Sequence, residues 1–189
     1  LYLAEKQKQL LSEQVPELIG RVTWLTALPE QFDGVIIANE VCDAMPIERV
    51  EIDQDTAELW YVTHGKNGFE AITKPIQDTD LLNRVDQVST QLTASDGYLT
   101  EINLLADAWL ASLTDRLDHG AIFIIDYGYV RSEYYHPDRV RGTLMCYYQH
   151  QGHDDPFVLP GLQDITSHID FTALAEIAHH YGLDVAGFQ

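Results

Sequence analysis

The sequence predicts an α/β fold in which a parallel sheet carries an inserted antiparallel β-meander and a helix. Two continuous apolar runs, residues 34–38 and 121–125, are typical of parallel strands that are buried on both faces. Segments with apolar residues at helical spacing alternate with these runs, as expected where helices cover a sheet. Residues 47–95 instead contain short β-rich runs joined by polar turns, which indicates antiparallel pairing.

The first part of the chain predicts a strand, a helix and two further strands. Residues 1–4 are an apolar run that ends at Glu5, and we expect a buried strand there. The helix is marked by apolar residues at helical spacing and by a glycine at its end: Leu11, Val15, Leu18 and Gly20. Residues 21–25 and 34–38 predict the second and third strands.

The inserted part is expected to form a separate subdomain. Three β-rich runs predict its strands: residues 47–52, 58–63 and 69–73. A polar helix near residues 80–92 completes it. We therefore assign residues 1–46 and 96–189 to the α/β core, and residues 47–95 to the inserted β-meander and helix.

A long helix and a buried strand are predicted after the insertion. Eight apolar residues define one face of this helix: Leu99, Ile102, Leu105, Ala106, Trp109, Leu110, Leu113 and Leu117. Gly120 stands where a glycine commonly ends a helix. Residues 121–125 predict the next buried strand, which is followed by Asp126.

The last part of the chain predicts an irregular stretch, a helix and a strand. Residues 129–169 are rich in Tyr, His and Asp and show no clear periodicity. A helix is predicted from Phe171 to Tyr181, with Asp170 as its N-cap and Gly182 at its end. Residues 183–188 predict a final strand.

The composition excludes several classes of function. The 189 residues contain 11 Lys and Arg against 30 Asp and Glu, which gives a formal net charge of −19. Nucleic acids and anionic membranes are bound mainly through Lys and Arg, so we expect neither as a partner. No apolar run reaches the roughly 20 residues that cross a membrane. Neither Cys42 and Cys146 nor the histidines show a recognised ligand spacing, so no metal site is predicted.

Polar residues follow the predicted strands at the edge where parallel α/β sheets bind ligands. Asn39, Glu40 and Asp43 come after one strand, and Asp126 and Tyr127 come after another. Two carboxylates at the carboxyl end of a strand indicate a site for a cation or a proton. A turn built from ordinary polar residues is the alternative interpretation.

Glu5 follows the first predicted strand and has two interpretations. An acidic residue in this position can accept two hydrogen bonds from a ribose diol in dinucleotide and nucleoside sites. The macrodipole also favours such a residue at the N-terminus of a helix, without any ligand.

Several motifs follow one another along the chain. They are Asn39-Glu40-x-x-Asp43-Ala44-x-Pro46, Gly120 through Ile125-Asp126-Tyr127-Gly128-Tyr129, Arg141-Gly142-Thr143-Leu144, His150, Asp155-Pro156, Pro160-Gly161 and Asp164-Ile165-Thr166-x-His168-x-Asp170-Phe171. Together, in this order, they resemble the MidA family of S-adenosylmethionine-dependent methyltransferases. Its mitochondrial members include an arginine methyltransferase that assists the assembly of respiratory complex I.

The resemblance implies a class I methyltransferase fold with a Rossmann-like sheet and with S-adenosylmethionine as the cofactor. It implies that the chain is truncated at its N-terminus and lacks the first strand of the fold together with its glycine-rich loop. Leu1 is not a methionine, and the chain begins and ends within predicted strands. We therefore expect this chain to be a piece of a longer protein.

The resemblance also assigns cofactor contacts. Glu5 would hold the ribose hydroxyls, Trp24 and Leu25 would lie near the adenine, and Asn39 would lie beside the methionine part. Glu40 would lie near the transferred methyl group. The family has aromatic residues where this chain has Val41 and Cys42, a difference that alters the wall of the pocket.

The resemblance implies that an arginine side chain of a partner protein is the methyl acceptor. A guanidinium is cationic and a poor nucleophile, and the sulfonium donor is also cationic. Carboxylates that pair with the guanidinium offset this repulsion and orient it. Glu40 and Asp43 are the candidate catalytic residues for this task. The candidate substrate-binding residues are Asp126, Tyr127, Asp164, His168 and Asp170.

The expected partner is a basic protein, such as a subunit of respiratory complex I, and a homodimer is a further expectation. The expected location is the bacterial cytoplasm or, in a eukaryote, the mitochondrial matrix. Two alternatives stay open. A non-catalytic assembly or binding module would hold the basic partner without chemistry. A nicotinamide-dependent oxidoreductase would share Glu5 and the sheet but needs a dinucleotide glycine fingerprint upstream.

Overall fold

The computed structural model describes residues 2–53, 56–90, 92 and 97–189 and shows a mixed α/β protein with several sheets, which confirms the predicted class. Its helices are α1 (Tyr2–Gln14), α2 (Thr79–Ser89), α3 (Leu104–Thr114), α4 (Arg131–Tyr134) and α5 (Phe171–His180), with a 3-10 helix at Ile19–Arg21. Its strands are β1 (Phe32–Asn39), β2 (Glu48–Ile52), β3 (Ala57–Gly65), β4 (Gly68–Pro75), β5 (Tyr98–Ile102), β6 (Leu117–Ile125), β7 (Gly128–Tyr129), β8 (Met145–Tyr148), β9 (Gln151–His153), β10 (Asp164–Thr166) and β11 (Ile169–Asp170). Within the described residues, no helix is both long and apolar enough to cross a membrane.

Strands β1 and β6 form a parallel pair, and β7 pairs in parallel with β11. The predicted strands at residues 34–38 and 121–125 are therefore confirmed. One face of the β1–β6 pair contributes Ile122 and Ile124 to a core shared with α3 and α5. The expected burial of both faces is wrong, because four apolar side chains on the other face are 55–71% exposed: Val35 61%, Ile37 71%, Phe123 56% and Ile125 55%.

Gly120 lies within β6 and does not end a helix, contrary to the prediction. Helix α3 ends at Thr114, and Gly120 stands opposite Gly34 of β1. A Cβ atom at position 120 would lie 1.7 Å from the carbonyl oxygen of Gly34. Glycine is therefore required here by the close approach of two backbones.

The antiparallel meander is confirmed, and its sheet has four strands in the order β4-β3-β2-β5. The predicted polar helix is α2, and its apolar side shares a core with the sheet that includes Val50, Leu81 and Tyr98. Strand β5 follows residue 95, where the predicted insertion ends, yet it pairs with β2 along its whole length. The assignment of residues 47–95 to a separate subdomain stays a prediction.

The long helix predicted from Leu99 is wrong in its first turn. Residues Tyr98–Ile102 form strand β5, because β2 offers a backbone partner for each of them. Helix α3 begins at Leu104, after Asn103, whose side chain accepts a hydrogen bond from the backbone N–H of Ala106. Apolar residues at positions 99 and 102 fit either structure, and the neighbouring strand decides between them.

The two ends of the chain were predicted as strands, and the structure differs at both. Residues Tyr2–Gln14 form helix α1, since Glu, Lys, Gln and Leu dominate this segment and are strong helix formers. Leu1 lies outside the described residues. No strand forms at residues 21–25 or 183–188, where neither segment has a hydrogen-bonded neighbouring strand. Helix α5, its N-cap Asp170 and its end at Gly182 are confirmed.

Residues 129–169 contain more regular structure than the sequence predicts. Strands β8, β9 and β10 form a small antiparallel sheet, and helix α4 precedes them. The hairpin between β8 and β9 turns at Gln149 and His150, both with positive φ. Strands of three or four residues with no glycine or asparagine at their turn leave little periodic signal.

Gly120→Ala is expected to destabilise the protein by about 2–3 kcal/mol, since overpacking against a rigid backbone costs this much. The new Cβ would meet the Gly34 carbonyl and force β1 and β6 apart. Gly20→Ala is the matched control, because a Cβ there meets nothing within 4 Å. Denaturant unfolding measures both changes, and equal stability of the two variants would contradict the close approach of the strands.

Candidate functional site

The carboxyl ends of β1 and β6 lie side by side. Asn39 pairs with Ile125 in the parallel register, and the backbone N–H of Glu40 donates a 2.9 Å hydrogen bond to the carbonyl of Ile125. The loop after β1 and the loop after β6 therefore start from the same edge of the sheet. This is the edge at which the sequence predicts the site.

Asp126 joins the two loops. One carboxylate oxygen, Oδ2, accepts hydrogen bonds from the backbone N–H groups of Cys42 at 2.9 Å and of Asp43 at 3.3 Å. The other oxygen, Oδ1, accepts from the N–H of Tyr127 at 2.9 Å. The predicted substrate-binding residue Asp126 thus organises the backbone of the site.

Asp43 carries the least satisfied charge of this edge. Its side chain is buried, with 7% of the residue exposed, and its Oδ1 atom has no hydrogen-bond partner among the described residues. Burial raises the pKa of Asp43, and the charges of Asp126, Glu40 and Asp164 raise it further. A carboxylate in such surroundings favours either a bound cation or a proton.

Glu40 has a strained backbone. Its φ is +49°, in the left-handed region that non-glycine residues rarely adopt, while its side chain is exposed at the edge of the sheet. Such a conformation costs on the order of 1 kcal/mol and is concentrated at functional sites. The strain lies at the candidate catalytic residue nearest the end of β1.

Residues 167–169 bring the last motif to the same edge. The N–H of Ser167 donates to the carbonyl of Asp43 at 3.0 Å, and the N–H of Ile169 donates to the carbonyl of Tyr127 at 2.8 Å. His168 lies between them, with its ring centre 5.1 Å from that of Tyr129. Burial lowers the pKa of His168, and the charge of Arg139 lowers it further, so the imidazole is neutral at physiological pH.

The remaining substrate candidates differ in their surroundings. Asp170 accepts hydrogen bonds from the N–H groups of Thr172 and Ala173 at the start of α5, and its Oδ2 pairs with Arg131 Nε at 3.0 Å. Both its oxygens thus serve the fold, and its contact with substrate stays a prediction. Asp164 and Tyr127 are exposed, and Tyr127 has 61% of its surface accessible.

Two of the N-terminal cofactor candidates are associated with helix α1. Glu5 lies exposed in the first turn of α1 and does not follow a strand, which corrects the sequence prediction. Trp24 Nε1 donates to the side chain of Gln7 on the same helix at 2.9 Å. Leu25 is 61% exposed. The contacts of the described residues do not bring these three side chains to the ends of β1 and β6, and their cofactor roles stay predictions.

Sequence reasoning missed Glu101, Thr143 and Ser167. All three are buried, and Glu101 is only 1% exposed. A charged residue within an apolar strand-like run is the signal that could have found Glu101, because such a charge needs buried partners. Nothing in the sequence marks Ser167. Within the described residues, no three His, Cys, Asp or Glu side chains are grouped as metal ligands would be.

The chain belongs to a family of methyltransferases. Residues 2–189 match the family described as "Putative S-adenosyl-L-methionine-dependent methyltransferase". The cofactor of this family is S-adenosylmethionine, as the resemblance implied.

Relatives and solved structures agree with this membership. A crystal structure of a Burkholderia thailandensis protein bound to S-adenosyl-homocysteine is 41% identical, with a TM-score of 0.86, and covers 95% of this chain and 46% of that one. A native crystal structure of a Burkholderia thailandensis protein is also 41% identical, with a TM-score of 0.87 over 95% of this chain and 47% of that one. The mitochondrial protein arginine methyltransferase NDUFAF7 homolog of Drosophila melanogaster is 25% identical over 161 residues, which are 84% of this chain and 35% of the relative. The chain thus spans about half the length of the solved structures, and about a third of the curated relative.

Asp43→Asn is expected to stabilise the protein by about 0.5–2 kcal/mol near pH 8, because it removes a buried charge that lies beside other carboxylates and has one unpartnered oxygen in the described part of the chain. The raised pKa means that the folded state holds this proton more tightly than the unfolded chain does. The wild-type protein therefore loses stability as the pH rises through the folded-state pKa of Asp43, and the difference between variant and wild type should vanish below the ordinary aspartate pKa of about 4. Thermal unfolding across this range measures the difference.

Asp126→Asn is the matched control and should change stability in the opposite direction. It places an amide where a carboxylate oxygen accepts backbone N–H groups, at an expected cost of about 1–3 kcal/mol. A loss of stability in Asp43→Asn that equals the loss in Asp126→Asn would contradict the described difference between the two carboxylates.

Proposed function

We propose that this protein, as a member of its family, transfers a methyl group from S-adenosylmethionine to an arginine side chain of a basic partner protein. The observation that carries the proposal is the buried Asp43 carboxylate at the carboxyl ends of two parallel strands, whose Oδ1 atom has no hydrogen-bond partner among the described residues. Glu40, Asp126 and Asp164 add negative charge around it. The name of the Drosophila melanogaster relative supports arginine as the acceptor.

The residues at this edge fit the cofactor of the family. S-adenosylmethionine supplies an electrophilic methyl group on a positively charged sulfonium. Asn39 and Glu40 are exposed where β1 ends, and an acidic edge suits a cationic cofactor. We infer that β1 and β6 belong to a class I methyltransferase sheet. Glu5, Trp24 and Leu25 remain proposed contacts to the ribose and the adenine.

The carboxylates would prepare the guanidinium as a nucleophile. Glu40 and Asp43 can accept its N–H groups side by side, which fixes the plane of the guanidinium and aims one nitrogen at the methyl carbon. The nitrogen lone pair then forms the N–C bond while the C–S bond breaks and its electron pair stays on sulfur. Positioning of this in-line displacement supplies much of the rate.

One proton must leave the attacking nitrogen. Asp43 is the proposed acceptor, because burial and its acidic neighbours raise its pKa and make it a stronger base than an exposed aspartate. Asp126 holds the loop of Asp43 in place during this step. A pH dependence of the rate that reports a raised carboxyl pKa is therefore expected.

The proposed partner is recognised by its positive charge. The chain carries a formal charge of −19, so a basic protein segment is attracted from a distance and held at the acidic edge. A subunit of respiratory complex I is one such partner. A homodimer stays an expectation.

Glu40→Gln and Asp43→Asn in the full-length protein should each lower methyl transfer by about 100-fold, the scale on which aligned charges contribute to catalysis. Glu30→Gln and Asp118→Asn are the matched controls, since both are exposed carboxylates near the amino ends of β1 and β6. Transfer of labelled methyl groups to basic peptides with and without arginine is the measurement. Unchanged transfer in both site variants would remove the assigned roles.

Calorimetry separates the enzyme from a binding module. Full-length protein that binds a basic peptide but not S-adenosylmethionine would favour the non-catalytic alternative. S-adenosyl-homocysteine in the Burkholderia thailandensis structure supports cofactor binding, and it favours a methyltransferase over a nicotinamide-dependent oxidoreductase.

A further inference from the structure

Glu101 is a buried charge on the four-stranded antiparallel sheet β4-β3-β2-β5, outside the site described above. It lies on β5, and Arg49 of β2 approaches its Oε1 atom at 3.4 Å. Arg49 in turn lies 4.9 Å above the ring of Trp60 on β3. A buried carboxylate is costly unless its oxygens are paired and hydrogen-bonded, so its remaining partners show what it holds.

Thr143 is the partner of the other carboxylate oxygen. Its backbone N–H donates to Glu101 Oε2 at 2.7 Å, and its hydroxyl lies 3.1 Å from the same atom. Gly142 makes this approach possible, because its φ is +75° and a Cβ there would lie 2.3 Å from a Glu101 oxygen. Glu101 thus fixes Thr143 at two points.

The hydroxyl of Thr143 also reaches the candidate site. Its oxygen accepts a 3.0 Å hydrogen bond from the backbone N–H of His168. Because this hydroxyl can donate its single proton to Glu101, its lone pairs are directed to the amide of His168. An unbroken chain of contacts therefore runs from Arg49 through Glu101 and Thr143 to His168.

Three successive N–H groups of the segment 167–169 are held by three different parts of the protein. Ser167 is held by Asp43, His168 by Thr143, and Ile169 by Tyr127. The outer two bonds lead to the loops after β1 and β6. The central bond leads through Thr143 to Glu101 on the four-stranded antiparallel sheet.

The held segment carries polar atoms that have no protein partner. Ser167 Oγ and His168 Nδ1, like Asp43 Oδ1, are buried without a hydrogen-bond partner in the described part of the chain. Buried polar atoms are nearly always paired, so unpaired ones beside a binding edge are suited to a ligand. The positions of Ser167 Oγ and His168 Nδ1 depend on how the backbone of residues 167–169 is held.

We propose that Glu101 and Thr143 are positioning residues, which hold the amide of His168 and thereby set residues 167–169 against the ends of β1 and β6. Through the contacts of Glu101 with Thr143 and of Thr143 with His168, the four-stranded antiparallel sheet supports the candidate site. Neither residue touches substrate. The effect on methyl transfer rests on the proposed function, whereas the effect on the segment itself does not.

Thr143→Val and Thr143→Ser test the proposal as a matched pair in the full-length protein. Valine keeps the shape and removes the hydroxyl, whereas serine keeps the hydroxyl and removes the methyl group. In Thr143→Val, hydrogen exchange of the His168 amide should accelerate at least about tenfold, while the Ile169 amide keeps its rate. The NMR titration of His168 should move towards that of a free histidine, and Thr143→Ser should resemble wild type in both measurements.

Methyl transfer supplies the second measurement. The proposal expects kcat of Thr143→Val to fall about 10- to 100-fold, as small misplacements do, with KM for S-adenosylmethionine unchanged and with rescue by serine. Equal kcat in the valine and serine variants, with a displaced His168 in the valine variant only, would overturn the positioning role. Unchanged exchange and titration in Thr143→Val would overturn the proposal whatever the activity.

A wild-type protein that transfers no methyl group would contradict the proposed function only, because exchange and titration still decide the contact. Glu101→Met provides a second test if Thr143→Val does not fold. Methionine keeps the length of the side chain but removes both carboxylate oxygens, so Thr143 loses its two contacts with residue 101. The proposal expects the same selective release of the His168 amide, and an unchanged amide would overturn it.

Discussion

The carboxylate of Asp126 is the interaction on which the rest of the candidate site depends. It lies where β6 ends, and both of its oxygens accept hydrogen bonds from backbone N–H groups. Two of these three N–H groups belong to the loop after β1. A carboxylate that accepts three N–H bonds is held firmly, and each bond to a charged group contributes about 1.5–3 kcal/mol. Because the loop of Asp43 is tied in this way, the Oδ1 atom of Asp43 can remain buried without a hydrogen-bond partner among the described residues.

The carboxylates of the site therefore fall into two groups, one that stabilises the backbone of the loops and one that is available to a ligand. Asp126 and Asp170 are satisfied by backbone N–H groups and, for Asp170, by Arg131, so they shape the loops and the start of α5. Asp43 and Glu40 hold strain or unpaired charge instead. Natural sites commonly give up stability in this way, and the surrounding structure compensates for the loss.

The sequence predicted those parts of the fold in which a local pattern has one structural solution. The strands at 34–38 and 121–125 and the cap at Asp170 belong to this group, since the β-propensity of a β-branched run and helix capping are local in their cause. Asn39, Glu40 and Asp126 were predicted to share one edge because they directly follow strands that the local pattern identifies.

Features that depend on a distant neighbour could not be predicted. Tyr98–Ile102 is a strand only because β2 lies beside it, and Gly120 is a glycine only because Gly34 faces it. The role of Thr143 requires Glu101 and His168 at once, residues that are 42 and 25 positions away in the chain. No pattern within a short window records such contacts.

The open face of the β1–β6 pair has a consequence for the colloidal behaviour of this 189-residue polypeptide. Ile37 and Phe123 are register partners on this face, with Val35 and Ile125 beside them, so the exposed side chains form one contiguous apolar patch. Such a patch favours self-association, and repulsion between molecules of charge −19 opposes it. Salt screens the repulsion and leaves the apolar attraction in place, so the polypeptide is best dispersed at low ionic strength and associates as salt is added.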